Sequence, residues 1–187
     1  KIEVEILKEF GRIDGLLNVA GGATKGASAK TEFLTAETPL EDTFFGINLS
    51  DFQATSDLNF MGSVIPSKVF GEAMAQQQSG NIINISSMGA IRPLTKSPAY
   101  CAGKAAISNF TLWLAVHLSK SNIRVNAIAP GFFLTEQNRF LLIDEASGEF
   151  TPRGKRIVDH TPLGKLGNPE DLLSTVFWLL SDESSFV

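Results

Sequence analysis

Cysteine and histidine are both scarce in this chain of 187 residues, which contains one cysteine, Cys101, and two histidines, His117 and His160. A single cysteine excludes a disulfide framework and any zinc site built on cysteines. The two histidines lie far apart in the sequence and lack the spacing that is typical of metal ligands. We therefore expect no metal in this protein.

Long apolar runs and an excess of positive charge are lacking as well. No run approaches the roughly 18 residues of a membrane-spanning helix, and the first ten residues lack the apolar core of a secretory signal. The 16 Lys and Arg residues are outnumbered by 20 Asp and Glu residues, which argues against a nucleic-acid-binding surface. We expect a cytoplasmic protein with a small-molecule substrate and no nucleic-acid or membrane partner.

Both ends of the sequence look cut rather than finished. Lys1 begins inside an amphipathic helix for which Gly11 is a plausible C-terminal cap. The last residues, Ser184–Val187, directly follow a predicted helix without a polar tail. We interpret the chain as a piece of a longer protein.

Apolar periodicity predicts strands that alternate with helices. Short apolar runs predict three buried strands, at residues 13–19, 81–86 and 124–129. Amphipathic or capped segments predict helices at residues 51–77, 99–120 and 168–180. The segment 23–49 has no clean period and is predicted to be a long connection. This alternation is typical of parallel βα units, so we expect an α/β fold with an open, doubly wound parallel sheet.

The predicted helix 51–77 carries several local signals. Ser50 and Gln53 fit a capping box in which Ser50 is the N-cap. The apolar stripe of this helix consists of Phe52, Leu58, Met61, Ile65, Val69 and Phe70. Pro66 lies within the stripe and predicts a kink or a break. Asn59 is either a hydrogen-bond partner for that kink or a functional residue.

Tyr100 and Lys104 form the most informative pair in the sequence. At four-residue spacing on a helix, the two side chains share one face, one turn apart. A phenol with a pKa of about 10 is a poor base at neutral pH, and a nearby ammonium group lowers that pKa toward the working range. Taken alone, such a pair more often means two residues on a solvated helix face.

The context of this pair favours a functional site. Ser86 and Ser87 end the second predicted strand, and ligands of open α/β sheets bind at the carboxyl ends of strands. A hydroxyl there can donate to a substrate oxygen while Tyr100 exchanges a proton with it. Asn18–Gly21 ends the first strand and Pro130–Gly131 follows the third. We expect all of these groups at one edge of the sheet.

Six motifs, in this order, resemble the classical short-chain dehydrogenase/reductase family over the full 187 residues. They are NVAG at 18–21, NFMG at 59–62, NISS at 84–87, YCAGK at 100–104, RVN to PG at 124–131 and PED at 169–171. Each motif alone is common, whereas the ordered set is specific. The resemblance implies a Rossmann-like fold and hydride transfer between a secondary alcohol and a ketone, with the hydride carried by a nicotinamide cofactor.

The resemblance also implies a catalytic set of four residues. Tyr100 is implied to be the general acid and base, and Lys104 to lower the pKa of Tyr100 and bind the nicotinamide ribose. Ser87 is implied to hold the reacting oxygen, and Asn59 to help relay a proton through water. Ser87 rather than Ser86 is implied because the serine of the family lies thirteen residues before the tyrosine.

The implied cofactor is NAD or NADP, with NAD slightly favoured. The implied cofactor-binding residues are Asn18, Ala20, Gly21, Tyr100, Lys104, Pro130, Gly131 and Thr135. Thr135 is implied to contact the nicotinamide carboxamide. The glycine-rich phosphate loop of the family, the residue that reads the adenosine ribose and the last strand are missing from the sequence. We therefore expect one partial domain, residues 1–187, with only the later part of the fold.

Residues 132–167 lie where the family places its substrate lid. This polar segment carries Gln137 and Asn138. The candidate substrate residues are these two, together with Ser87 and Arg92, which lies on the loop after Ser87. An arginine can clamp a carboxylate bidentately, although a solvated surface charge is the commoner role of any single arginine. The strings SSMGAIRPLTKSPAY, ISNFTLWLAVH and APGFFLTEQNR resemble the D-mannonate (fructuronate) oxidoreductases, which implies a sugar acid as substrate.

Other functions remain open. One is another activity of the same family, such as a gluconate or polyol dehydrogenase or a 3-oxoacyl reductase. The other is a non-catalytic fragment of the fold that acts as a binding or scaffolding module, which the missing phosphate loop favours and the intact catalytic set disfavours.

The resemblance further implies a homo-oligomer, a tetramer or dimer, formed through helices 51–77 and 99–120, with His117 at a subunit contact. We interpret Cys101 as a packing residue.

Overall fold

The computed structural model describes all 187 residues. Its strands are β1 (Gly15–Asn18), β2 (Gly80–Ile85) and β3 (Ile123–Ile128). Its helices are α1 (Ile2–Phe10), α2 (Leu49–Gln77), α3 (Pro98–Leu118), α4 (Arg139–Leu142), α5 (Pro152–Asp159) and α6 (Leu173–Leu180). Residues 23–48 contain only short 3₁₀ turns, which confirms the predicted long connection. Each helix falls short, in length or in apolar character, of what a bilayer-spanning segment requires.

The three strands form one parallel sheet in the order β1-β2-β3. Asn18 of β1 pairs with Asn84 of β2, and Ile85 of β2 pairs with Ile128 of β3. Helix α2 connects β1 to β2 and α3 connects β2 to β3. Parallel neighbours need such crossovers, because a tight turn reverses the direction of the chain. The predicted α/β class with a parallel sheet is confirmed.

Alternation along β2 sends two neighbouring isoleucines to opposite faces of the sheet. Ile82 lies in one cluster with Met74 of α2 and Leu114 of α3. Ile83 lies in a second cluster with Val176 of α6. Both isoleucines are fully buried. Helices therefore cover both faces of β2, which is the doubly wound arrangement that the sequence predicts.

The N-terminus of α2 differs from the prediction. The predicted N-cap, Ser50, is wrong, since Asn48 caps this helix. The Asn48 Oδ1 accepts hydrogen bonds from the backbone N–H groups of Ser50 (2.9 Å) and Asp51 (3.1 Å). Gln53 pairs with a carboxylate one turn further on instead of reaching back to the cap. One amide oxygen thus satisfies two of the N–H groups that a helix start leaves without partners.

Helix α2 turns its small and polar side toward the interior. Its buried residues include Thr55, Asn59, Ser63, Ser67 and Gly71, which follow one another at four-residue spacing. The predicted apolar stripe faces largely outward, since Leu58, Met61, Ile65 and Val69 are 38–56% exposed. The helix also continues through Pro66, so the predicted break is absent. Short inward side chains let the α2 backbone approach the rest of the molecule closely.

Two other predicted helix ends are confirmed. Gly11 ends α1 in the left-handed conformation, with φ 76°, and its N–H donates to the Leu7 carbonyl at 2.9 Å. Before α6, the Asp171 carboxylate accepts a hydrogen bond from the backbone N–H of Asn168 at 2.9 Å. A 3₁₀ turn that starts at Pro169 then leads into α6.

The segment predicted to be a lid, residues 132–167, contains α4, α5 and irregular connections. The Leu134 N–H donates to the Gly167 carbonyl at 2.8 Å, and the Gly167 N–H donates to the Phe132 carbonyl at 3.0 Å. The segment therefore leaves and rejoins the body of the fold at one place.

Candidate active site

The carboxyl ends of all three strands meet at one edge of the sheet. The Asn18 Nδ2 donates to the Asn84 Oδ1 at 2.8 Å across β1 and β2. Beyond β2, the Met88 N–H donates to the Pro130 carbonyl at 2.9 Å, which ties the loop after Ser87 to the segment after β3. Polar groups that lie far apart in the sequence are thus collected where α/β sheets bind their ligands.

Lys104 is the buried cation of this edge. Its side chain points inward from α3 and the residue is only 3% exposed. The Nζ donates to the Ile85 carbonyl at 2.7 Å and lies 5.8 Å from the centre of the Tyr100 ring. No carboxylate pairs with it. Burial therefore lowers the pKa of Lys104 to about 8, since the charged form loses solvation without gaining a counter-ion.

Asn59 holds the glycine turn that follows β1. It is fully buried on α2, and its Nδ2 donates to the carbonyl groups of Gly22 (2.6 Å) and Thr55 (2.8 Å). Its Oδ1 accepts the Gly22 N–H at 3.2 Å. Asn59 thus binds both polar groups of the Gly22 backbone. The alternative role, as a partner for a kink at Pro66, is not observed.

Gly21 brings Asn59 and Lys104 together. A Cβ on Gly21 would lie 2.9 Å from the Asn59 Oδ1 and 3.0 Å from the Lys104 Nζ. Both distances are too short for an ordinary Cβ contact, so only glycine fits here without displacing one of the two polar groups. The backbone of the turn, an amide and an ammonium group therefore share one small space.

The two neighbouring serines have different surroundings. The Ser86 hydroxyl lies 2.7 Å from the Ser108 hydroxyl and donates to the Lys104 carbonyl at 3.1 Å, so it fastens β2 to α3. The Ser87 hydroxyl accepts the N–H of Gly89 at 3.0 Å and leaves its own hydrogen without a partner in the protein. A Cβ on Gly89 would lie 3.3 Å from the Ser87 Oγ and 3.2 Å from the Cys101 Sγ, which sets Ser87 beside the start of α3. These surroundings favour Ser87 over Ser86 for a role with substrate.

The three other predicted substrate residues, Gln137, Asn138 and Arg92, differ in their surroundings. Gln137, in the segment 132–167, reaches the glycine turn, since a Cβ on Gly22 would lie 2.6 Å from the Gln137 Nε2. Asn138 is engaged within its own loop, where it accepts the Thr135 N–H at 2.9 Å and donates to a neighbouring carbonyl at 2.8 Å. Arg92 is exposed and takes part in no ion pair. Substrate contacts by these residues stay predictions.

A buried amide ladder beneath the site is a feature that motif matching does not reveal. Asn18 donates to the Ser67 hydroxyl at 2.9 Å as well as to Asn84, and the Asn84 Nδ2 donates to the Thr111 Oγ1 at 2.9 Å. The ladder connects β1, β2, α2 and α3. A signal for it exists in the sequence, because asparagines at the ends of adjacent parallel strands must face each other when their register agrees.

The chain matches a family model described as enoyl-(acyl carrier protein) reductase over residues 2–187. It is 48% identical over 181 residues to an uncharacterized oxidoreductase, UxuB, of Bacillus subtilis (strain 168), covering 96% of this chain and 64% of that protein. It is 32% identical over 180 residues to the 2-dehydro-3-deoxy-D-gluconate 5-dehydrogenase of Escherichia coli (strain K12), covering 96% of this chain and 62% of that enzyme.

Among solved structures, the chain superposes with a TM-score of 0.90 on a Haemophilus influenzae protein with bound NAD, provisionally described as a D-mannonate oxidoreductase. The two are 44% identical, and the match covers 97% of this chain and 65% of that one. The chain thus spans a little under two thirds of the length of these three relatives.

Proposed function

Because the chain belongs to the short-chain dehydrogenase/reductase family, we propose that its full-length protein is a cytoplasmic, NAD- or NADP-dependent oxidoreductase that interconverts a secondary alcohol and a ketone. We propose a sugar acid, such as D-mannonate with D-fructuronate as its ketone, as the substrate. The similarity to the Haemophilus protein with bound NAD supports both the cofactor and the substrate class. The similarity to an E. coli enzyme that acts on a sugar acid supports the substrate class again.

The observation that carries this proposal is the burial of Lys104 beside Tyr100. An ammonium group that is 3% exposed and has no carboxylate partner is costly for the fold. Such a cost is commonly retained at functional sites. Here the ammonium lies 5.8 Å from the ring of the nearest phenol, at the strand ends where the fold binds its ligands.

The chain's own residues can perform the proton chemistry. When bound, the cofactor supplies a nicotinamide ring that takes up a hydride from the carbinol carbon. Tyr100, as the phenolate, accepts the hydroxyl proton of the alcohol, so that the loss of one hydride and one proton leaves the ketone. The free hydrogen of the Ser87 hydroxyl donates to the reacting oxygen, and the positive charge of Lys104 stabilises the phenolate. Reduction follows the same steps in reverse.

The glycine turn would hold the nicotinamide ribose through its polar neighbours. The Asn59 Oδ1 and the Lys104 Nζ lie 2.9 and 3.0 Å from the position that a Cβ on Gly21 would take, and the Gln137 Nε2 lies 2.6 Å from that of Gly22. The Lys104 ammonium would donate to the ribose hydroxyls. Because both Nδ2 hydrogens of Asn59 are engaged, only its Oδ1 can take part in a proton relay through water.

The replacement Tyr100→Phe tests this proposal in the purified full-length protein. General acid–base catalysis contributes about 10²–10⁴-fold, so kcat for NAD-dependent oxidation of D-mannonate should fall by at least about 10²-fold. NADH binding, followed by energy transfer from Trp113 and Trp178, should change little. Cys101→Ala alters the neighbouring residue on the same helix and is the control. A Tyr100→Phe variant with undiminished kcat contradicts the proposal. The rates with polyols, gluconate and 3-oxoacyl thioesters, compared with the rate with D-mannonate, distinguish a sugar-acid substrate from the other activities of the family.

We also propose that the protein is a homo-oligomer. The outward faces of α2 and α3 carry exposed apolar side chains, among them Ile65 (56%), Leu112 (69%), Trp113 (57%) and Val116 (78%). The His117 ring stacks on Trp113 with 4.8 Å between the ring centres, so these aromatic groups form a flat, ordered surface. Sedimentation of the full-length protein should show a dimer or tetramer that Val116→Glu dissociates. A monomeric parent protein contradicts this part of the proposal.

A further inference from the structure

A cavity opens between the segment 132–167 and the long connection that follows β1. Its volume is about 410 Å³, and its wall includes Glu32, Lys96, Arg153 and Arg156, together with Phe140 and Leu141. The catalytic candidates Asn59, Ser87, Tyr100 and Lys104 do not line it. The wall of the cavity is thus formed by side chains other than the four catalytic candidates.

The charges in this wall do not balance. Three cationic side chains face one carboxylate, and Glu32 already forms an ion pair with Arg156. Arg153 takes part in no ion pair, and the Lys96 Nζ donates only to the neutral carbonyl of Lys30, at 2.6 Å. Two positive charges therefore remain without an anion in a protein whose net charge is −4.

The backbone around Arg153 is rigid. The Thr151 hydroxyl accepts the Gly154 N–H at 3.1 Å and donates to the Leu141 carbonyl at 2.7 Å. A Cβ on Gly154 would lie only 2.2 Å from the Leu142 carbonyl oxygen, so α4 and α5 are in close contact. The base of Arg153 is therefore held in place, and less entropy is lost when its side chain binds a ligand.

The other cation is connected to the candidate active site. Lys96 lies four residues before Tyr100, on the segment that leads into α3. The Lys96 carbonyl accepts the N–H of Ala29 at 2.9 Å, which fixes this segment against the long connection. The cavity thus adjoins the start of the helix that carries Tyr100 and Lys104.

We propose that this cavity is a carboxylate subsite in which Arg153 and Lys96 hold the acid group of the substrate, while its carbinol reaches Tyr100. This inference rests on the proposed function and deepens it, because it assigns the selection of sugar acids over neutral sugars to two residues. A guanidinium group pairs with a carboxylate through two parallel hydrogen bonds, and a lysine adds a point charge. Glu32 and Arg156, which lie in the same wall, neutralise each other in an ion pair.

The test compares D-mannonate with D-mannitol, which replaces the carboxylate by a neutral CH₂OH group on the same carbon skeleton. The full-length protein is assayed at saturating NAD as the parent, Arg153→Gln, Lys96→Gln and Lys155→Gln. Lys155 lies on the same helix, is exposed and does not line the cavity, so its variant is a control with the same change of charge. A hydrogen bond to a charged group contributes about 1.5–3 kcal/mol, which corresponds to roughly 10–150-fold in affinity.

We expect Arg153→Gln to raise KM for D-mannonate at least about 10-fold, with kcat changed less than about threefold. KM for D-mannitol and the kinetics of Lys155→Gln should stay as in the parent. Lys96→Gln gives the same pattern and serves if Arg153→Gln does not fold. Equal effects on both substrates, no effect on either, or a parent that prefers D-mannitol overturns the subsite.

The carboxylate subsite can be tested even if the proposed oxidoreductase activity is absent. If the parent oxidises neither compound, calorimetric titration of D-mannonate into the NADH-bound protein decides the subsite. Binding to the parent and to Lys155→Gln, with loss in Arg153→Gln, supports the carboxylate subsite even without the proposed activity. Absence of binding to the parent overturns it.

Discussion

Gly103 of α3 lies so close to Asn59 of α2 that a Cβ on the glycine would stand 2.9 Å from the Asn59 Cβ. Asn59 in turn binds both polar groups of the Gly22 backbone. The approach of the two helices therefore determines where the glycine turn lies relative to Lys104, which directly follows Gly103. A change at Gly103 should act on stability and on the candidate site together.

Gly103→Ala should lower the free energy of unfolding by about 1–3 kcal/mol, because the added methyl group overpacks the crossing of α2 and α3. Gly71→Ala is the matched control, since a Cβ there meets its nearest atom at an ordinary 3.7 Å. Removing a glycine from a helix interior should stabilise Gly71→Ala by up to about 1 kcal/mol. Urea unfolding measures both variants, and changes of the same sign would contradict the packing described here.

The cap of α2 gives a second prediction. Asn48→Ala should cost about 1 kcal/mol of stability, because two N–H groups of the first turn lose their acceptor. Ser50→Ala should cost clearly less, since the Ser50 hydroxyl only donates to the Asn48 Oδ1. Thermal unfolding of the two variants decides between the caps. A larger loss for Ser50→Ala would restore the capping box that the sequence suggests.

Lys104 should make the stability of the protein depend on pH. Burial lowers its pKa from an ordinary 10.5 to about 8, so between these values the unfolded chain binds more protons and stability rises with pH. The cost of charging Lys104 in the fold is complete below pH 8 and amounts to about 3 kcal/mol. The parent should therefore gain about 1 kcal/mol in stability from pH 7 to pH 9 relative to Lys104→Met. Lys155→Met should keep the pH profile of the parent, and denaturant unfolding across this range measures all three.

The amide ladder predicts coupled losses. Asn84→Ala should destabilise the protein by about 1–3 kcal/mol, because it removes one buried hydrogen bond each from the Asn18 amide and the Thr111 hydroxyl. The Asn18 amide keeps its bond to Ser67, and the Thr111 hydroxyl keeps its bond to the Ile107 carbonyl. Thr111→Val should cost about 1 kcal/mol by itself. In the double variant, the loss of stability should differ from the sum of the two single losses by at least about 0.5 kcal/mol. Full additivity would show that the Asn84–Thr111 bond contributes nothing to stability.

The sequence predicts the order of elements well because it carries two strong signals. Apolar runs such as that of Ile82 and Ile83 are typical of strands covered on both faces, and alternation with helices permits only a parallel sheet. The meeting of the strand ends follows from that topology. The pairing of Tyr100 with Lys104 follows from helical spacing alone.

Other features depend on contacts between residues that lie far apart in the sequence, which local sequence patterns do not reveal. Leu58 and Ile65 have the composition of core residues, yet they face outward because α2 approaches its neighbours through small side chains. The ion pair of Glu32 and Arg156 joins residues 124 positions apart, so the cavity beside it is invisible in the sequence. The burial of Lys104 depends likewise on the contact with Gly21, which only the folded chain creates.

The covering of β2 on both faces has a consequence for motion. Amide hydrogens of a strand enclosed in this way exchange with solvent only when the whole domain opens, whereas loops exchange through small local fluctuations. Ser87 lies two residues beyond β2, so we expect its hydroxyl to be anchored to a slowly exchanging segment. The segment 132–167, which carries Arg153, lies outside the sheet, so we expect its amide hydrogens to exchange faster.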